Sequence, residues 1–341
     1  MQNETKKRNI WLDLFKLFLC WLVVCIHFAG HHYAHHPLYR LAVPMFFMIS
    51  GYFLYHKESE IRKKKAVTFA KRSAAYMLFG LAFYVVYGFA ICFIDGKDPS
   101  KFFIGLYYSD FIRNFLLFNS NPLTDADHLW FIIALFVVAL LHLLIVRFKK
   151  EHWYYVIIPL CTAVHLFFNG TVKDFDGTVV HLNYTRNALF FGLPMCALGY
   201  VLAKFNLNKF KWLKFIYLAL GLLFFYLQIE EGKTLLREVY LSSILSAAFL
   251  LLFFVGLKPV SCPIYYSLVG KSMPFYVYII HLAVGKRLEK HVTINDLYLK
   301  CLAIFLISIL LYEVCYLAIK GIGILIKKIQ KTLPKKERDF E

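Results

Sequence analysis

The first apolar stretch of this 341-residue chain carries two ionisable side chains whose spacing suggests chemistry. It reads Arg8-Asn9-Ile10-Trp11-Leu12-Asp13-Leu14-Phe15-Lys16, continues through apolar and near-apolar residues, and reaches Val24-Cys25-Ile26-His27-Phe28. On an α-helix the interval from Lys16 to His27 is three turns plus about 20°, so both fall on one face, roughly 16 Å apart along the axis. They cannot touch, but they can hold the two ends of one extended molecule. Asp13, three residues before Lys16, is placed to pair with it. Histidine is the side chain best matched to general-base work near neutral pH. An ionisable group inside a membrane helix is costly and normally faces a cavity or a partner. The plain alternative is a histidine satisfied by hydrogen bonds within a helix bundle, and position alone does not decide between the two.

Composition says what must hold these residues. The chain is 60% hydrophobic and 18% charged, against roughly half and a quarter in soluble domains. That shift fits a chain using lipid as solvent for most of its surface. The net charge of +18 is not spread over a nucleic-acid-binding face; it sits in short clusters between apolar runs, such as Arg62-Lys63-Lys64-Lys65 and Lys327-Lys328. This is the pattern of cytoplasmic loops in membrane proteins, and no nucleic-acid partner is expected. Most of the eight cysteines lie in apolar runs, with no CxxC pair and no zinc-like spacing, so they read as small apolar helix residues. The first apolar run lacks a small-residue cleavage site and is expected to remain as a helix.

About ten transmembrane helices are expected, at 10–30, 39–55, 73–94, 129–147, 153–169, 186–204, 212–228, 238–257, 274–288 and 298–320. The fold class is therefore an all-α polytopic membrane protein. It reads as one integral-membrane domain over 1–341, with a tail from about 321. With the N-terminus inside, alternate segments collect 27 of the 39 Lys and Arg residues on one side, which places both termini in the cytoplasm. Outer loops would then hold Asp95, Asp98, Asp110, Asp125 and Asp127, and a second group, Asp174 and Asp176. They can shape an acceptor site or serve as ordinary solvated connections.

The pattern Arg8…Asp13-x-x-Lys16-x10-His27 resembles the opening of the acyltransferase 3 family of integral-membrane acyltransferases, including the membrane domains of racemase-fused resistance proteins. Val43-Pro44-Met45-Phe46-Phe47-Met48-Ile49-Ser50-Gly51-Tyr52-Phe53-Leu54 is similar to that family's second-helix signature. Phe69-Ala70-Lys71-Arg72 resembles the basic start of its third helix, and His128-Leu129-Trp130-Phe131 the start of its fourth. Arg186-Asn187-Ala188-Leu189-Phe190-Phe191-Gly192-Leu193-Pro194 through Gly199-Tyr200 looks like its sixth. Ser272 to Tyr278-Ile279-Ile280-His281 and Tyr312-Glu313 resemble its closing segments. The matches cover nearly the whole chain in order. Lys16 stands where many members carry Arg; it keeps the charge without the planar fork that grips phosphate. Ala75 stands where a second basic residue often follows.

The resemblance implies His27 as catalytic base and a site drawn from Lys16, Asp13, Tyr52, Lys71, Arg72, Arg186, His281 and Glu313. It implies no metal or resident cofactor. Acyl-CoA from the cytoplasm would serve as co-substrate, with acetyl the family default. The acceptor would be an envelope carbohydrate or other hydroxyl at the outer face of a plasma membrane, and the Lys-, Ile- and Phe-rich composition fits a low-GC bacterium. The competing reading is a small-solute or amino-acid exporter on the same fold, since Gly192 and Pro194 allow a broken helix of the kind transporters use. Ser50-Gly51 suits close helix approach, and Trp130 suits an interfacial belt. His142 and His165 match no motif and read as structural. The run His31-His32-x-x-His35-His36 has metal-like spacing if helical and is otherwise a polar loop. Oligomeric state is not legible.

Overall fold

The computed structural model describes residues 9–29, 36–101, 111–121, 123–124, 126–168, 185–207, 212–234, 237, 239–260 and 272–332. Among them there are helices and no strands. They are α1 (Ile10–Phe28), α2 (His36–Tyr39), α3 (Ala42–Leu54), α4 (Ser59–Asp95), α5 (Phe111–Leu116), α6 (Trp130–Arg147), α7 (Tyr154–Phe168), α8 (Leu193–Phe205), α9 (Leu213–Thr234), α10 (Leu241–Gly256), α11 (Met273–His291) and α12 (Leu297–Thr332). Among the described residues, seven segments are long and apolar enough to cross a bilayer: Ile10–Phe28, Pro37–Leu54, Ser59–Asp95, Asp127–Arg147, Ala188–Phe205, Leu213–Thr234 and Leu297–Ile324. Each of the ten expected spans falls on a helix. α7 and α10 are shorter than a full crossing, and α11 carries Lys286, Arg287, Glu289 and Lys290 in its second half.

The distribution of apolar residues is that of a bundle in lipid. Large apolar side chains such as Trp11, Leu78, Val86, Phe93, Leu222 and Leu310 face outward, Phe93 to 90%. In water such a surface would drive association; against acyl chains it is solvated. Asp13, Arg40, His128, His142, His165, Gln228 and His281 are instead buried within the bundle.

α1 packs on α3, α10, α11 and α12. Its start is fixed by Asn9, whose side chain accepts from the backbone N–H groups of Trp11 and Leu12 at 3.1 and 3.4 Å. This is the expected capping of orphan helix donors. The Asn9 amide also donates to the Phe254 carbonyl at 2.8 Å, tying α1 to the end of α10.

The basic segment 57–72, expected to lie outside the third span, is not a separate loop. From Ser59 it forms the first turns of α4, a helix of 37 residues. Nothing interrupts it, because Lys, Arg and Ala are strong helix formers and neither Gly nor Pro occurs before Gly80. Lys65 folds back from α4 and donates to the Phe53 and Tyr55 carbonyls at 2.9 and 2.8 Å, covering the open end of α3. Arg62 binds the His56 carbonyl at 2.9 Å and Glu151 at 3.1 Å.

α3 and α8 approach backbone to backbone. A Cβ on Gly51 would lie 1.8 Å from the Cys196 carbonyl oxygen, and one on Gly199 would lie 2.0 Å from that of Met48. Ahead of α8 the chain makes a π-turn at Ala188–Gly192, started by Asn187, whose side chain accepts from the N–H groups of Leu189 and Phe190 at 3.0 Å each. Pro194 then sits in the first turn of α8, where its missing donor costs nothing. The wide turn continues into α8, so this span is not broken at Gly192 and Pro194.

Among the aspartates expected in outer loops, Asp95 ends α4 and binds Arg287 at 3.2 Å and Lys290 at 2.7 Å of α11. Asp98 accepts from the Ser100 N–H at 2.9 Å in a local turn. Asp110, Asp125, Asp174, Asp176, Cys262, His31, His32 and His35 lie outside the described residues, as does the side chain of His36. Six other cysteines are buried and Cys315 is exposed.

Candidate active site

Two cavities meet near the middle of the bundle. The larger, of about 560 Å³, lies between α1, α3, α4, α6 and α11. Asp13 and Lys16 line it from α1, joined at 3.2 Å, with Phe46, Ser50 and Phe53 from α3. On α4 the lining residues Ile61, Lys64, Lys65, Thr68, Phe69, Arg72, Ser73 and Tyr76 recur every three or four positions, so one face of that helix forms the wall. Phe53, Lys64, Thr68 and Arg72 are exposed, so the cavity is open along this edge. The deeper wall, Phe131, Leu135, Phe275 and Tyr278, is mostly apolar. A cavity with cations at its mouth and an apolar interior suits a ligand with an anionic head and a neutral arm.

The smaller cavity, about 50 Å³, is lined by Val23, Ile26 and His27 of α1, together with Arg40, Val43, Trp130, His165, Arg186, Phe191 and Val239. Phe131 and Tyr278 line both cavities, their ring centres 5.3 Å apart, and form the partition between them. His27 is exposed although its neighbours Val23, Val24, Cys25 and Phe28 are buried, because its ring faces this open space. Two further histidines flank it. Ring centres are 5.3 Å apart for His27 and His281, 6.0 Å for His27 and His128, and 5.2 Å for His128 and His281. His281 is fully buried on α11, and His128 is buried just ahead of α6.

The structure sorts the residues expected at the site. Lys16 and His27 share a face of α1, one in each cavity, with Asp13 beside Lys16. Arg72 lines the larger cavity; Lys71, one residue earlier, is exposed away from it, because adjacent helical residues point about 100° apart. Arg186 lines the smaller cavity with its guanidinium 5.3 Å from the centre of the Trp130 ring. His281 touches the cluster without lining a cavity. Tyr52 is half-buried against Phe53 and Glu313 is half-buried on α12; neither lines either cavity. Three contributors carried no chemical role in the sequence reading. Trp130 supports Arg186 and does not stand only in an interfacial belt. His165 lines the smaller cavity, its ring nitrogen 2.9 Å from the Thr185 carbonyl. His128 joins the histidine cluster. The α4 stripe has the helical period, whereas His128 and His281 are brought together only by the tertiary fold, through the Tyr278 hydroxyl on the His128 carbonyl and His128 Nε2 beside the Ile279 carbonyl. His142 is buried elsewhere, 2.5 Å from the Tyr154 hydroxyl. Among the described residues, no group of three or more His, Cys, Asp or Glu side chains is arranged to hold a metal ion.

A polytopic helix bundle enclosing a cation-rimmed cavity and a histidine cluster is an integral-membrane protein with an internal chamber for chemistry or transport. The chain matches the acyltransferase domain of the acyltransferase 3 family over residues 9–320 and belongs to that family, which supports acyltransferase activity in general terms. It is also similar to a serine/alanine racemase of Enterococcus gallinarum, 28% identical over 224 residues, which is 58% of this chain and 29% of the relative. The chain thus aligns with less than a third of that relative's length. No solved structure matches the chain.

Proposed function

We propose that the protein is a membrane-bound O-acyltransferase that takes an acyl group, acetyl by preference, from cytoplasmic acyl-CoA to a hydroxyl of an envelope carbohydrate or similar acceptor at the outer face. We place it in a bacterial plasma membrane with both termini in the cytoplasm. The observation that carries this reading is the placement of Lys16 and His27 on one face of α1, each lining one of two adjoining cavities. Lys16, Lys64, Lys65 and Arg72 at the mouth suit the phosphates of CoA, and the apolar wall suits the neutral pantetheine arm. The space at His27, about 50 Å³, is the size of one or two waters. That matches a two-carbon acyl group better than a long chain.

In the reaction, a ring nitrogen of His27 takes the proton of the acceptor hydroxyl as its oxygen bonds to the thioester carbonyl carbon. The carbon–sulfur bond then breaks, and the CoA sulfur leaves with the proton returned by His27. The products are an ester and the free thiol, with no other reactant. Arg186, held over Trp130, is placed at the edge of this space, where negative charge develops on the carbonyl oxygen.

The racemase relative favours a second reading, export of a small amino acid through the same chamber. Purified protein in liposomes, given labelled acetyl-CoA and an envelope fraction, separates the two. Label transferred to the envelope fraction with release of CoA supports the enzyme. Flux of serine or alanine without loss of acetyl-CoA replaces it with the exporter.

Neighbouring basic residues on α4 give a sharper test of the donor site. Arg72→Ala should raise KM for acetyl-CoA about tenfold at nearly constant kcat, the pattern of lost uniform binding. Lys71→Ala should leave both values within about twofold, because Lys71 points away from the cavity. Equal effects of the two substitutions would place the CoA phosphates elsewhere.

A further inference from the structure

Hydrogen bonding fixes the proton positions on two of the three clustered histidines. His281 Nδ1 lies 2.6 Å from the Tyr278 carbonyl oxygen, and His128 Nε2 lies 3.3 Å from the Ile279 carbonyl oxygen. A carbonyl oxygen only accepts, so the nitrogen facing it in each neutral ring carries the proton. The other nitrogens, His281 Nε2 and His128 Nδ1, are therefore bare lone pairs. Both are buried and make no hydrogen bond among the described residues. A buried acceptor left unsatisfied is costly, and such groups in folded proteins normally serve a purpose. The scaffold around them is well tied. Tyr278 donates its hydroxyl to the His128 carbonyl, and Tyr84 donates to the Ile279 carbonyl at 2.8 Å. The two rings are thus held in place by α4 and α11, with basic nitrogens available beside His27.

We propose that His281 is the positioning residue for His27: its Nε2, which has no partner among the described residues, takes the N–H of the His27 ring when that ring turns to face it. This rests on the acyltransferase reading for its purpose, but not for its geometry. The separation of 5.3 Å between ring centres is one at which two imidazoles can meet nitrogen to nitrogen at roughly 2.9 Å. A general base needs one ring nitrogen bare and directed at the substrate, which requires a partner for the other. In the familiar triads a carboxylate fills that place; here a neutral imidazole does, suited to a bundle interior where an unpaired carboxylate would be expensive. When His27 takes the acceptor's proton, its second N–H stays hydrogen-bonded to His281, which shares the positive charge until the proton passes to the CoA sulfur.

The test uses full-length protein labelled with ¹⁵N-histidine in lipid nanodiscs, with the His27 signal assigned by its loss in His27→Gln. In the wild type, His27 should show a single tautomer and a nitrogen–nitrogen coupling across the hydrogen bond to His281. His281→Asn keeps a donor for the Tyr278 carbonyl but lacks the reach to His27, and should release His27 into a mixture of tautomers. His281→Gln restores an acceptor at that reach and should keep one tautomer. With acetyl-CoA and an envelope fraction, His281→Asn should lower kcat about 100-fold with KM for acetyl-CoA unchanged, and His281→Gln should stay within about tenfold of wild type. If the His27 signals are identical in wild type and His281→Asn, the proposal is overturned. If His281→Asn cannot be purified, the coupling in wild type decides, and its absence overturns the proposal. If wild type shows the coupling but consumes no acetyl-CoA, the acyltransferase reading falls and the geometric assignment stands.

Discussion

Replacing His27 by alanine should lower acyl-transfer turnover by about 10²–10⁴-fold, the usual contribution of a positioned general base. That corresponds to about 2.7–5.4 kcal/mol of transition-state stabilisation. The prediction has a second half. The His27 ring faces open space beside Arg186 and Trp130 and is not wedged into the packed interior, so its loss leaves little new void. Thermal stability in detergent should therefore fall by no more than about 1–3 kcal/mol, the cost of leaving the buried His281 Nε2 without a partner. KM for acetyl-CoA should also hold, since the cations expected to bind its phosphates lie in the other cavity. A measured kcat, KM and melting curve test all three statements together. Full transfer by His27→Ala would end the proposed mechanism, and a large fall in stability would make His27 a packing residue.

The second large effect concerns the contact between α3 and α8. Gly51→Ala should destabilise the protein by about 3 kcal/mol or more, at the upper end of overpacking costs. The obstacle is backbone, not a side chain that can rotate away: the added carbon would stand 1.8 Å from the Cys196 oxygen. Relief requires moving one helix off the other, which would disturb Met45, Phe47 and Met48, all buried from the same helix. Gly199→Ala should behave alike, because its new carbon would meet the Met48 oxygen at 2.0 Å. Gly321→Ala provides the control, since nothing lies within 4 Å of its added carbon. It should be neutral or stabilising by up to about 1 kcal/mol through helix propensity. The readout is the melting temperature and the monodisperse fraction on size exclusion. A Gly51→Ala protein as stable as wild type would show that this close approach is not required.

Most of the helical framework was legible because lipid imposes a simple rule on sequence. A span must be apolar over enough length, and each of the ten expected segments duly lies on a helix. The shared face of Lys16 and His27 was equally legible, since it depends only on the period of one helix. Where the reading fell short, the missing information lay between helices. The sequence offered Lys71 and Arg72 as equals; only the cavity beside α4 distinguishes them. Tyr52 and Glu313 carried motif resemblance but line neither cavity. Trp130 suits an interfacial belt and His165 matches no motif, and their neighbours at the chamber, Arg186 and His27, are distant in sequence. The convergence of His27, His128 and His281 depends on three segments separated by about a hundred residues or more, and no local pattern encodes it.

The length of α4 has one more consequence. At about 1.5 Å per residue its 37 residues span about 55 Å, while the hydrocarbon layer is about 30 Å thick. The surplus is the cationic end, so in a bilayer the turns carrying Lys64, Lys65 and Arg72, which line the larger cavity, would stand at the depth of the lipid headgroups. The mouth of that cavity would then be bathed in the leaflet's own phosphates. A phosphate-bearing ligand arriving from water competes with those lipids for the same lysines and arginine, each worth about 1 kcal/mol to an anionic surface. Its apparent affinity then belongs to the protein and its membrane jointly: weaker where anionic lipid is abundant, stronger where it is scarce.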